Sequence, residues 1–190
     1  MISAYLFLAI LIIYAIGCVW LLFLGIDFFI SKIRKVAPEV PSCKRSRDAV
    51  LGEIARNYSD MQSVLDIGCC YGGLARKIAA RFPKMSVVGI ECMPMPYVVA
   101  QMSKVFCPRR NIRFVFGDAF RFIKKSDGFD IGIAYLLTPM MRQVEEVADK
   151  FKVLLVLDFP LPGRVPARVT KLHKDMLGQH VLYVYENKNN

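Results

Sequence analysis

Four carboxylates and a glycine turn are the residues of this chain best spaced to do chemistry. Asp66 precedes a turn built on Gly68, Gly72 and Gly73, with Cys70 inside it. Glu91, Asp118 and Asp158 each follow an apolar run of strand length, and Thr138 follows another. Glycines let backbone approach a ligand without a Cβ in the way, and a helix opening just behind them offers unbonded N–H groups. Glu91 stands roughly twenty residues beyond the turn, where an acid can accept both hydroxyls of a ribose. A dinucleotide fingerprint would need glycine at 68, 70 and 73. Position 70 is cysteine, so that match fails where backbone must approach a pyrophosphate.

Such residues need a scaffold that brings strand ends to one lip, and the patterning supplies it. Residues 63–67 read as a short buried strand. Leu74, Ala75, Ile78, Ala79 and Phe82 then recur on one face of a helix closed by Pro83. A helix over 44–58 comes before them. Strands over 86–91, 112–116, 129–137 and 153–157 follow, with helices over 97–106 and 138–150 between. Thr138 is read as the N-cap of the last helix, with Pro139 at its first position. Residues 168–173 and 180–185, joined across Leu177-Gly178, form a closing antiparallel hairpin. This alternation implies an α/β fold with a Rossmann-like, doubly wound, mainly parallel seven-stranded sheet. Ligands of such sheets bind beyond the carboxyl ends of the strands. Asp66, Glu91, Asp118, Thr138 and Asp158 are all expected on that lip.

Ahead of this domain, residues 1–26 contain no charged side chain. As a helix at ~1.5 Å per residue that run approaches ~40 Å, against a hydrocarbon core of ~30 Å. A signal peptide would carry a charged start and a shorter apolar core. Residues 1–27 therefore read as a transmembrane anchor, 28–43 as a basic linker stiffened by Pro38 and Pro41, and 44–190 as one folded domain. Lys32, Arg34, Lys35, Lys44, Arg45 and Arg47 follow the span, which places the domain on the cytoplasmic face, or on the equivalent negative side of an organelle membrane. The net charge is +10, much of it beside the span. Anionic lipid is the simpler partner for it, because no aromatic-interleaved basic run suggests nucleic acid. Six cysteines without a regular framework fit a reducing compartment. Cys69, Cys70 and Cys92 form no Cys-x-x-Cys pair, and His173 and His180 lie far along the chain in the hairpin. Neither a metal centre nor a histidine base is expected.

The run Asp66-x-Gly68-x-Cys70-x-Gly72 resembles motif I of the class I S-adenosylmethionine (SAM)-dependent methyltransferases, Asp/Glu-x-Gly-x-Gly-x-Gly. That resemblance implies SAM as cofactor, with Asp66, Gly68, Cys70 and Gly72 at its methionine end. It also implies Glu91 at the ribose, Asp118 at the adenine amino group and Phe120 walling the ring. A narrower likeness rests on the hydrophobic start, Val40-Pro41-Ser42, Leu137-Thr138-Pro139 and the run from Asp158 to Gly163 before the hairpin. Together these resemble the membrane-anchored seven-β-strand protein-lysine methyltransferases, whose mitochondrial members modify the adenine nucleotide translocase and the ATP synthase c subunit. That family reads Gly-Ser-Gly-Asp-Gly where this chain has Gly68-Cys-Cys-Tyr-Gly72. The likeness implies a lysine acceptor on a membrane-associated protein. Methyl transfer needs a neutral nucleophile in line with the sulfonium. With the histidines set aside, Asp158 is the candidate to orient the amine, assisted by Thr138. Two other readings stay open: methylation of a lipid or small molecule at the bilayer surface, and a SAM-binding interaction module that is not an enzyme.

Overall fold

A computed structural model describes residues 2–34, 42–176 and 178–187. The linker prolines Pro38 and Pro41, and Leu177 of the hairpin turn, lie outside the described residues. The first helix, α1 (Ile2–Arg34), continues well past position 27. Its stretch Tyr5–Ile26 has a mean hydropathy of 2.8 and none of it is buried within the molecule. By length and composition it can cross a membrane.

Behind it, α2 (Lys44–Asn57) opens the folded domain with Cys43 as its N-cap. The strands are β1 (Ser63–Ile67), β2 (Ser86–Glu91), β3 (Ile112–Phe116), β4 (Phe129–Ala134), β5 (Phe151–Leu157), β6 (Arg168–Asp175) and β7 (Gly178–Glu186). Interleaved with them are α3 (Gly73–Arg81), α4 (Pro94–Phe106), α5 (Ala119–Lys125) and α6 (Met141–Glu146). One sheet results, in the order β3-β2-β1-β4-β5-β7-β6. β1 to β5 pair in parallel, and β7 inserts antiparallel between β5 and β6. The central parallel strands are largely apolar because both faces are covered, while the edge strand β3 keeps Arg113 and Phe116 exposed. Val64, Ile133 and Leu155 pack with Ile54 and Ile78 on one side, while Leu65, Ile67 and Val156 pack with Val144 and Phe151 on the other. Full burial of each such side chain contributes ~1.5–3 kcal/mol.

The fold class agrees with expectation, while the short helix α5 was not foreseen and two further local readings differ. β4 ends at Ala134, three residues short of 137. Its neighbour β1 breaks into the glycine turn after pairing Ile67 with Ala134, so Tyr135 to Leu137 have no strand to bond on that side. The expected helix over 138–150 is instead a 3-10 turn at Thr138–Met140, then α6, then a second 3-10 turn at Ala148–Lys150. Leu137, not Thr138, is the N-cap, and its carbonyl accepts the Met140 N–H at 2.9 Å. A turn closed by its own backbone leaves the Thr138 hydroxyl out of the cap.

Two polar knots hold the periphery. Arg168 donates to Glu53 Oε1 at 2.8 Å and to Tyr58 Oη at 2.6 Å, and Tyr58 donates to Glu186 Oε1 at 2.5 Å. This ties the hairpin to α2 and pairs the buried Glu53 carboxyl with a guanidinium. At the same amino-end lip of the parallel strands, Asp130 Oδ2 accepts from Gln62 N–H, Ser63 N–H and the Ser63 hydroxyl, each at 2.9 Å. Its Oδ1 stands 2.9 Å from Lys152 Nζ. Burial opposes ionisation of Asp130, but Lys152 and these donors prevail and hold its carboxyl at about 2. A depressed acid stabilises the fold above its unfolded pKa, about 3.9, and that stabilisation is lost as pH falls through the folded value. Urea unfolding is expected to show a stability loss between about pH 4 and pH 2, and Asp130→Asn is expected to remove that component while costing ~1–3 kcal/mol at neutral pH. An unchanged acid limb in the variant would exclude Asp130 as its source.

Candidate active site

The glycine turn is the tightest feature of the carboxyl lip. Gly68, Cys70 and Gly72 all adopt left-handed backbone, with φ of 70°, 51° and 70°. Gly72 is the N-cap of α3, and a Cβ there would lie 2.5 Å from the Phe114 ring. Cys70 carries a side chain in a conformation that glycine adopts freely, at a cost of ~1–2 kcal/mol. The turn thus holds a left-handed backbone at Cys70 as well as at the two glycines. Relief of that strain is partly offset by the ~0.5–1 kcal/mol that glycine loses in chain entropy. Cys70→Gly is therefore expected to raise stability by up to ~1 kcal/mol without weakening SAM binding, as read by thermal unfolding and calorimetry. A destabilised variant would mean that the thiol itself holds the turn.

Two buried acids flank this turn. Asp66 is 5% exposed and accepts the N–H of Ala75 in the first turn of α3. Its Oδ2 has no partner among the described residues. Burial pushes its carboxyl up to about 7, with the Ala75 bond opposing and the Glu91 charge adding. Glu91, 7% exposed, accepts the Cys70 N–H on Oε2 at 2.8 Å. Its Oε1 accepts the N–H groups of Cys92 and Met93, both at 2.8 Å. Glu91 therefore fastens the turn after β1 to the start of α4. A pair of buried acids beside an open backbone turn suits a cationic group on a ligand.

Farther along the lip the partners change. Asp118 is exposed and caps α5, its Oδ1 accepting from Phe120 N–H at 2.8 Å and Arg121 N–H at 3.2 Å. Its carboxylate does not join the buried Asp66 and Glu91 pair, although Gly117 N–H bonds to the Glu91 carbonyl at 2.9 Å. Phe120 is half-buried against the core on the α5 side. Sequence reading missed Phe116, which is 48% exposed with its ring 5.3 Å from Tyr97. A large aromatic at the exposed end of a strand, two residues before Asp118, was the available signal.

On the other half of the lip stand Thr138, exposed, and Asp158. Asp158 follows β5 with φ of 66°, uncommon for a residue with a side chain and a mark of a constrained position. Its N–H bonds to the Val181 carbonyl at 2.8 Å and its Oδ1 accepts the Val181 N–H at 3.0 Å. Its Oδ2 lies 2.7 Å from His180 Nδ1. The Tyr135 hydroxyl bonds to it as well. Burial first, then the Asp158 charge and that bond, push the Tyr135 hydroxyl up. The expectation that both histidines are remote is thereby corrected. β7 lies directly beside β5 rather than at the sheet edge, which carries His180 onto Asp158.

Residues 64–156 match the methyltransferase domain family. No curated protein matches the chain in sequence. Among solved structures, the chain is similar to an RNA methyltransferase from Salinibacter ruber in complex with S-adenosyl-L-homocysteine, with 21% identity over 80% of this chain and 95% of that one and a TM-score of 0.64. It is similar to precorrin 8w decarboxylase from Methanobacterium thermoautotrophicum, with 17% identity over 81% of this chain and 94% of that one and a TM-score of 0.58. M. capricolum TrmK, in complex with S-adenosyl-homocysteine, gives 12% identity over 74% of this chain and 68% of that one, with a TM-score of 0.57. Identities this low speak to fold and not to substrate. Residues 64–156 thus match a methyltransferase domain model, and the sheet has the Rossmann-like methyltransferase fold.

Proposed function

We propose that this protein is a membrane-anchored SAM-dependent methyltransferase whose acceptor is a lysine amine on a membrane-associated protein. The observation that carries the reading is the left-handed turn at 68, 70 and 72, fastened by Glu91 beside a second buried acid. In this reading the sulfonium lies near Asp66 and Glu91. Glu91 Oε2 accepts one described bond and keeps a lone pair for a ribose hydroxyl. Both capping bonds of Asp118 fall on Oδ1, which leaves Oδ2 to the adenine amino group, with Phe116, Tyr97 and Phe120 as candidate walls.

The transfer is a displacement at carbon. Bound SAM would supply an electrophilic methyl carbon. The acceptor amine would form the new C–N bond as the C–S bond broke and its electron pair stayed on sulfur as a neutral thioether. The nitrogen then sheds a proton. A lysine of pKa ~10.4 must be neutral before it attacks, which costs ~4–5 kcal/mol at neutral pH and is reduced by burial. Tyr135 and Asp158, at the ends of adjacent strands, orient the amine, and Thr138 lines the approach.

Anchoring is supported by α1 and by a second surface. Val98, Met102, Val105 and Phe106 form an exposed apolar row on α4, followed by exposed Arg109 and Arg110. α1 contacts α4. Apolar and basic side chains in that order suit a bilayer surface. A tether raises the effective concentration of embedded acceptors.

The test is incubation of native membranes with the full-length protein and methyl-labelled SAM. Label recovered as methyl-lysine in membrane protein supports the reading. Label in lipid or RNA removes the lysine assignment, and failure to bind SAM at millimolar concentration removes the enzyme. Asp158→Ala is expected to keep SAM affinity and lose turnover by ~10²-fold or more. Full activity in that variant excludes Asp158 from orienting the acceptor.

A further inference from the structure

His173, Asp175 and His180 lie outside the glycine turn, yet they converge behind Asp158. β6 and β7 pair at Lys171 with Val181 and again at Lys174 with Gln179, so two residues of β6 face one of β7. Bulges of this kind re-aim side chains. This one stacks the rings of His173 and His180 with centroids 4.4 Å apart. Asp175, two residues beyond His173, shares its face of the strand. Asp175 Oδ2 lies 2.9 Å from His180 Nε2 and 3.8 Å from His173 Nε2. One donor atom from each of the three residues falls within 4.8 Å of the others. Donors bound to one ion at ~2.0–2.2 Å and tetrahedral angles stand about 3.3–3.6 Å apart, so small side-chain rotations close the set.

Two neighbours give the cluster the organisation of a metal site. Asp158 Oδ2 is 2.7 Å from His180 Nδ1, and the Val181 N–H on Oδ1 holds that carboxylate in place. A carboxylate behind one ring nitrogen selects the tautomer whose other nitrogen presents a lone pair. That lone pair then faces the Asp175 oxygen across 2.9 Å, and two acceptors so close require a cation between them. Cys43 supplies the second feature. Its Sγ lies 3.3 Å from His173 Nε2, at the N-terminus of α2, where the Ser46 N–H reaches the sulfur at 3.4 Å.

We propose that His173, Asp175 and His180 bind a divalent transition-metal ion of the zinc class, with Asp158 orienting His180 from behind. Cys43, which touches His173 but lies outside the 4.8 Å set, turns in as the fourth donor. Imidazole, thiolate and carboxylate together favour such an ion over magnesium or calcium. The ion would clip the hairpin to the start of α2, beside the lip where the acceptor approaches. This inference does not depend on methyl transfer.

Cobalt(II) titration of the metal-stripped full-length protein in detergent micelles tests it. One equivalent is expected to bind with visible bands of tetrahedral intensity and a near-ultraviolet sulfur-to-cobalt band, and zinc is expected to displace it. His173→Ala and Asp175→Asn, shown to be folded by circular dichroism, are each expected to weaken cobalt binding by ~10–100-fold or more. Cys43→Ser is expected to lose the near-ultraviolet band and keep the visible ones. Absence of bound cobalt in the wild type, or the same affinity in His173→Ala and Asp175→Asn, overturns the proposal and leaves a proton as the cation of the cluster.

Discussion

Replacing Glu91 with alanine is expected to abolish SAM binding and to destabilise the domain by ~3–5 kcal/mol, the largest single effect foreseen in this molecule. The carboxylate accepts three backbone N–H groups, those of Cys70, Cys92 and Met93, each at 2.8 Å. Hydrogen bonds to a charged group contribute ~1.5–3 kcal/mol each, and bonds sharing one carboxylate fall short of their sum. Alanine would leave all three donors without their acceptor in a site that is 7% exposed around the side chain. Glu91→Gln separates folding from binding. Its carbonyl oxygen can face Cys92 and Met93, which sets its amide NH2 against the Cys70 N–H, donor against donor. The glutamine variant should therefore keep much of the stability and still release the turn. Urea unfolding and calorimetry with SAM read the two effects. Wild-type SAM affinity in Glu91→Gln would show that Glu91 does not shape the cofactor site.

Gly72→Ala is expected to follow closely, at ~2–4 kcal/mol with loss of SAM binding. The added Cβ meets the Phe114 ring at 2.5 Å and Ala100 Cβ at 3.3 Å, on a backbone with φ of +70°. Neither neighbour yields easily, since Phe114 and Ala100 are both buried in the core. Two costs are mixed here, overpacking and left-handed strain, and a double-mutant cycle with Phe114→Ala separates them. Removing the ring is expected to cancel the overpacking part, leaving ~1–2 kcal/mol for the backbone. Strict additivity of the two substitutions would show that the ring is not the obstruction.

Much of the scaffold was already written in the chain. β1 and β2 begin and end where apolar runs meet turn residues, because a strand buried on both faces needs a nearly unbroken run and stops where that run stops. The long uncharged start was equally plain, since length and composition alone decide whether a helix can cross a bilayer. The left-handed turn after Asp66 was implied by Gly68 and Gly72, although nothing local revealed that Cys70 would adopt the same backbone.

Contacts between distant residues decided the rest. β4 stops at Ala134 because β1 has already turned away, a limit set by a neighbour more than sixty residues upstream. Thr138 lost its capping role to a carbonyl one residue before it. Asp66 owes its raised pKa to burial among side chains from other elements. The sharpest case is the hairpin. His180 is twenty-two positions beyond Asp158, and only the insertion of β7 between β5 and β6 brings the two side chains within 2.7 Å. Local patterning reports which face of an element is buried, and which strands lie side by side is settled by the packing of the whole sheet.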